Sequence, residues 1–458
     1  MPTIGSILSN ATTGLRAQQA ALAVVSHNIA NAAAEGYARQ RVVLSSNPAL
    51  QSAEGVYGTG ARIADVEQVR DALLDGAFRA ESANAEEHRA RADLLGRIET
   101  VLGEPSDQAL SGVLDRFLSA WSDLAGDPTS GVMRAVVRQR GQGLVDKMRT
   151  LATDLDAVRQ DVEVRVTQGM DRVNALTEAI ARLNREVVSV ESAGTTAGDL
   201  RDARARALDE LATLIPVCGN ERANGSVGVE FSGYNIVDGA YSSPLEVVQD
   251  GDRWRLRVEG RASFLSEEGG RIGGMLEVLN SDLPDAVASL DELAAALVEE
   301  VNRVHQGGVG PSGETGVPFF SESGTTAWSM SLSPAVRDSA EAVVAGSGDS
   351  GGNYRAGAND VALGIASLRD GILPDLGGNP GEHLRGLVSR IGIAVRSSQD
   401  AAEVHRTLAD QADVRRLSLS SVSVDEELVR LIQYQSAYRA AAQVVRAADE
   451  MLRSLLAV

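Results

Sequence analysis

Near the N-terminus, Ile4, Leu8, Ala11, Leu15, Gln18, Leu22, Val25 and Ile29 stand alternately four and three residues apart. Near the C-terminus, Val424, Leu428, Leu431, Gln435, Tyr438, Ala442, Val445, Asp449, Leu452 and Leu456 repeat that spacing. Alternating threes and fours is the seam of a coiled coil, so each end predicts one long amphipathic helix of roughly 40–50 Å. Each seam carries a glutamine, and a polar residue inside such a seam sets register and partner number. From the pattern alone the seams suit two uses equally: a hairpin of helices within one chain, or packing between subunits.

Between the ends the helical period continues over 66–103, 107–126, 130–193 and 201–215, the pattern of a helix bundle. The texture changes after Pro216. From Cys218 to Gly270 short alternating runs (SVGVEF, YNIVDG, PLEVVQ, RWRLRVEG) separated by glycines predict strands, with a hairpin tip at Gln249-Asp250-Gly251-Asp252. Helix returns at 283–305, 359–369 and 381–417, and the Gly/Ser-rich stretch 306–356 predicts surface loop with short elements. The expected architecture is mainly α with a small β insert. It comprises paired terminal coiled-coil helices (1–35 and 421–458), a long helix bundle (36–213 and 275–420) and an inserted antiparallel β domain (214–274).

Composition narrows the function. The chain has 458 residues, enough for two to four domains. Its aromatic content of 3% suits long helices packed on Leu, Val and Ala. Lys and Arg number 43 against 63 Asp and Glu, and the net charge of −20 argues against nucleic acid and anionic membrane as partners. Cys218 is the only cysteine, which excludes an intrachain disulfide and a cysteine-based metal site. The N-terminal stretch lacks the charge and apolar run of a cleavable signal peptide, and no apolar window is long enough for membrane insertion. Taken alone this predicts a cytosolic protein, and one exported by another route would look the same.

No catalytic constellation emerges. Gly348-Asp349-Ser350-Gly351-Gly352 spells the surroundings of a trypsin-like nucleophile, and a secreted serine hydrolase using Ser350 is the rival from another class. It lies in a Gly/Ser-rich loop of a mainly helical chain, where the triad chemistry has no scaffold. Gly58-Thr59-Gly60 lacks the third glycine of a dinucleotide loop and reads as a turn before a strand. His27, His88, His305, His383 and His405 show no metal-ligand spacing, and the acids show no EF-hand spacing, so no metal or cofactor is expected. Asp425-Glu426-Glu427 suits a helix N-terminus behind a Ser423 cap.

One stretch is left over, Ser26-His27-Asn28-Ile29-Ala30-Asn31 followed by Gly36-Tyr37, a polar cluster closing an apolar helix. Leu22, Ser26, Asn28, Ile29, Ala30, Asn31, Gly36 and Tyr37 resemble the N-terminal signature of bacterial flagellar axial proteins, the rod, hook and hook-associated proteins. Ala34-Glu35 stand where that signature has Thr-Pro, so the helix is free to run on to Gly36. Arg39-Gln40, Val56-Tyr57-Gly58-Thr59-Gly60, Gly273-Gly274-Met275-Leu276-Glu277, Asn302-Arg303-Val304-His305 and the ending from Leu431-Ile432-Gln433-Tyr434-Gln435-Ser436-Ala437-Tyr438 to Leu455-Leu456 resemble the hook-associated members. The resemblance is specific over about the first 70 and last 45 residues.

The resemblance implies a non-enzymatic structural adaptor exported without a cleaved signal peptide through the flagellar type III channel, and an extracellular place in the flagellum. The implied partners are copies of itself in a ring, the flagellar hook protein, a second junction protein on the filament side, and a cytosolic export chaperone at the C-terminal region. A hook or rod subunit is the rival within the family, and a cytosolic coiled-coil scaffold a third possibility. Subunit contacts are expected at Ile4, Leu8, Leu15, Leu22, Val25, His27, Asn28, Ile29 and Asn31. On the C-terminal helix they are expected at Leu428, Leu431, Ile432, Tyr434, Gln435, Tyr438, Val445, Met451, Leu452 and Leu455. His27, Asn28 and Asn31 would hydrogen-bond across subunit boundaries, because buried polar groups need partners. In an isolated monomer the ends would be disordered.

Overall fold

A computed structural model describes residues 4–52, 55–265 and 269–456. The chain opens with helix α1 (Ile4–Ala30) and four strands, β1 (Gln40–Ser46), β2 (Leu50–Ser52), β3 (Gly55–Tyr57) and β4 (Ala61–Gln68). Helices α2 (Ala72–Leu102), α3 (Leu110–Gly126), α4 (Gly131–Ser192) and α5 (Gly198–Leu214) follow. The β insert comprises β5 (Cys218–Glu221), β6 (Val227–Phe231), β7 (Tyr234–Asp238), β8 (Tyr241–Ser242), β9 (Leu245–Asp250) and β10 (Arg253–Val258). Then come α6 (Gly270–Glu277), a π-turn (Val278–Asp282), α7 (Leu283–Gln306), α8 (Pro334–Asp338), α9 (Asp360–Ala366), α10 (Pro380–Ser420) and α11 (Val424–Leu456).

The helices form where the apolar period runs and stop where caps allow. On α4, the buried row Leu144, Met148, Leu151, Leu155, Val158, Val162, Val166 and Met170 repeats at three and four residues, so one face of a 62-residue helix lines the core. Ser130 caps its first turn through the Met133 amide. Asp71 caps α2 through the amides of Leu73 and Leu74, and left-handed Gly103 ends it. Asn379 and Glu382 close a reciprocal capping box on α10. α2 lies along α10 and against α6, α4 packs on α3, α5 and α7, and α7 packs on α9 and α10.

The β insert is a four-stranded antiparallel sheet in the order β5-β6-β7-β8 beside the β9–β10 hairpin. The hairpin turns at Gly251-Asp252, where the sequence places its tip, with Gly251 left-handed at φ 62°. The insert is not free-standing. Asn184 on α4 donates to the carbonyls of Val227 and Gly239, and Asn174 exchanges two hydrogen bonds with Leu245. Val229, Phe231, Ile236 and Val237 join the same core as the helices.

Two segments differ from expectation. Residues 40–68, assigned to the helical bundle, form two antiparallel ribbons, β1–β4 and β2–β3. The run VEQVRDALL looks helical throughout, yet Val66 pairs with Val42 and helix begins only after the Asp71 cap. The stretch 306–356, expected as surface loop, supplies Phe319 and Phe320, both fully buried. They meet each other at a ring-centroid distance of 4.8 Å, and Phe117, Trp121 and His305 at 5.3–5.8 Å.

Candidate functional site

The expected ends come together. The end of α1 meets the start of α11, so the two run antiparallel and each is the other's partner within one chain. The contact face of α1 runs through small residues, with Ala11, Ala17, Ala21, Val25 and Asn28 buried, which lets the helices approach closely. The larger seam residues Ile4, Leu8, Leu15, Leu22 and Ile29 are half-buried, as are Leu431, Tyr434, Tyr438 and Val445 on α11. Leu428, Ile432, Gln435, Met451, Leu452 and Leu455 are exposed, Ile432 at 61% and Leu455 at 65%.

Asn28 sits at the crossing and is fully buried. Its Nδ2 donates to the Gln40 carbonyl at 2.9 Å and to Glu427 Oε2 at 3.1 Å. Its Oδ1 accepts from the Tyr37 hydroxyl at 2.8 Å and the Gln40 amide at 3.0 Å. Two donors and two lone pairs are the whole capacity of an amide side chain. Within the chain these bonds join α1, the following turn, β1 and α11. Asn31 turns back to the His27 carbonyl at 3.0 Å and lies 3.3 Å from the His27 ring. His27 Nε2 is 3.1 Å from Asp199, an exposed contact at the start of α5.

Glu427, which the sequence marks only as a helix-dipole acid, is the charged partner of this crossing and 1% exposed. Arg39 Nε lies 3.2 Å and Arg430 Nη1 3.5 Å from its Oε1. Arg39 also takes the Ser420 carbonyl through its amide at 2.9 Å, clamping the α10–α11 link. Ser423 does cap α11, through the Glu426 amide.

The turn after α1 is fixed by a second buried carboxylate, Asp202 on α5, also missed from sequence. It accepts from the Ala38 amide, Gln68 and Arg70 at 3.3, 3.0 and 2.9 Å. Burial pushes its carboxyl pKa up, against the pull of Arg70. Arg70 and Arg206 hold the carbonyls of Gly36 and Glu35. α1 ends at Ala30 rather than running on to Gly36. Gly36 is left-handed at φ 72°, and a Cβ there would meet the Arg206 stem at 2.8 Å, which is why this position takes glycine. The Tyr37 hydroxyl pKa is raised, first by burial and then by the carboxylates of Asp202, Asp199 and Glu427. It stays a neutral donor to Asn28.

The site offers anchoring and no reactive pair. Ser350 lies exposed in a turn that Asp349 closes by accepting from the amides of Gly351 and Asn353. The histidines are engaged elsewhere: His305 with Val317 and Val344, His383 with Ser289, His405 with Glu81 and the ring of His88, and His27 as above. Among the described residues no group of three or more His, Cys, Asp or Glu could hold a metal, and no helix is long and apolar enough to cross a membrane.

Terminal helices paired across the whole chain and tied to a helical bundle form an arrangement for which comparisons point to axial proteins of the bacterial flagellum. Residues 8–37 match the family described as flagella basal body rod protein, and residues 415–458 the C-terminal region of the basal body rod FlgEFG proteins. Residues 95–320 match the helical domain of flagellar hook-associated protein FlgK. The flagellar hook-associated protein 1 of Bacillus subtilis is 28% identical over 500 aligned positions, covering 98% of this chain and 97% of that protein. Its Escherichia coli counterpart is 26% identical, covering 69% of this chain and 60% of that one. The hook junction protein FlgK from Burkholderia pseudomallei shares the fold, with a TM-score of 0.65 over 75% of this chain and all of that one, at 14% identity. Over nearly its whole length the chain is thus similar to flagellar hook-associated protein 1, and its middle to the FlgK helical domain.

Proposed function

We propose that this chain is a non-enzymatic adaptor that forms a ring at the junction between hook and filament. Exposed apolar residues on α11 carry the proposal. The antiparallel pair covers Ala17, Ala21 and Ala448 yet leaves Leu428, Ile432, Met451, Leu452 and Leu455 in water. Apolar side chains left in water at both ends of one helix call for neighbours. Ile4, Leu8, Leu15, Leu22, Ile29, Leu431, Tyr434, Gln435, Tyr438 and Val445 border that face, half-buried except Gln435. The crossing of Asn28 and Glu427 supplies a rigid base from which the pair presents this face.

The named partners are copies of this chain, the hook protein below, a second junction protein above, and before export a cytosolic chaperone on the C-terminal region. Export proceeds through the type III channel without a cleaved signal peptide, and the working place is extracellular. A hook or rod subunit is the competing account favoured by the terminal matches alone. The match of 95–320 to the hook-associated helical domain favours the junction. Ile432→Glu tests the proposal: the variant folds and is exported, but filaments are shed. Filaments retained at the unmodified level would remove the α11 face from the account.

A further inference from the structure

We propose that a groove beside Trp328 is the socket for a second copy of this chain, filled by the outer side of α10 around Ile393. The inference rests on the ring above and adds its lateral contact. α2 and α7 each pack on both α4 and α10, which places α4 and α10 at opposite corners of a four-helix layer. The groove, about 480 Å³, opens between α4 and α7 and is walled by Leu155, Leu279, Val287 and Trp328. Trp328 is 58% exposed, whereas Trp121 is fully buried and Trp254 half-buried. On α10, Ile393 is 67% exposed, and Val404 and Val414 continue the stripe at intervals of about three turns.

Two different apolar patches on one domain make a heterologous contact, which repeats from copy to copy and gives a ring where the rotation closes, whereas a self-complementary patch stops at a dimer. The patches lie at one height. Gly392 adjoins Glu99 of α2, and the nearby Arg97 pairs with Asp161, two residues beyond Arg159 in the groove wall. Copies standing side by side can therefore meet without sliding. Charge agrees as well. Asp156 and Asp291 rim the groove, and the one arginine there, Arg159, is engaged by Asp156 and Glu163. Ile393 is flanked by Arg390, which donates to Ser289, and by Arg396, whose nearest carboxylate is Asp400 at 3.7 Å.

Cysteine cross-linking in flagellated cells tests this. In a Cys218→Ser background, Trp328→Cys combined with Ile393→Cys gives a ladder of dimers, trimers and higher species on oxidation, and either change alone gives none. Filaments formed without a ladder would overturn the contact while leaving the junction proposal intact, provided the gene deletion still leaves bare hooks. Dimers from Trp328→Cys alone would mean a self-complementary patch. A cross-link whose mass is no multiple of this chain would mean a different occupant. As a second readout, Trp328→Ser retains the melting temperature and loses filament retention about tenfold. Unchanged retention would also overturn the proposal.

Discussion

Asn28→Ala tests the crossing that fixes the terminal pair. The substitution removes four hydrogen bonds and strands the Gln40 amide and carbonyl and the Tyr37 hydroxyl, while Glu427 keeps Arg39 and Arg430. At about 0.5–1 kcal/mol net for each of the four bonds, the loss is about 3 kcal/mol. It falls locally, because the core of α4 is untouched. Amide exchange reads it directly: a 3 kcal/mol change opens α1 and the first turns of α11 about 100-fold more often, while amides at 144–180 keep their protection. Asn28→Asp sharpens the test. It replaces both donors by a carboxylate 3.1 Å from Glu427 Oε2 and opposite the Gln40 carbonyl, so it is worse than alanine at neutral pH and recovers on acidification. Exchange in α1 within twofold of the unmodified chain for Asn28→Ala, or an aspartate milder than alanine at neutral pH, would refute the reasoning.

His305 gives a pH dependence of known sign. Burial lowers its pKa to about 4 from the ordinary 6.5, and it serves as acceptor for the Val344 amide. The unfolded chain takes up the proton first, so this stability is complete above pH 6.5 and is lost as pH falls towards 4, about 3 kcal/mol in all. Urea unfolding between pH 4.5 and 7.5 shows that slope, and His305→Phe flattens it. Gly274→Ala places a Cβ 2.2 Å from the Glu87 carbonyl oxygen, forcing α6 off α2. A loss of about 1–3 kcal/mol follows, read as a lower melting temperature. Asn379→Ala opens the capping box of α10 and costs about 1 kcal/mol in denaturant unfolding.

The long helices were legible because a buried face writes its period into the chain, as the valines and leucines of α4 do. Gly251 was legible because its turn needs a left-handed residue. The ribbons at 40–68 were hidden because Val66 and Val69 continue the helical spacing of α2, and only pairing with Val42 decides otherwise. Phe319 and Phe320 were hidden by their Gly/Ser-rich neighbours. Asn28 was visible as an anomaly, but its bonds were assigned outside the chain. Glu427, Asp202 and Arg70 carry no local signal: an acid in a first helical turn looks the same whether it faces water or a buried arginine.

Electron microscopy of the bacterium with this gene deleted tests the junction proposal most directly. The account predicts complete hooks without filaments, and filament protein shed into the medium. Normal flagella would contradict it, and absent hooks would move the protein inward to hook or rod.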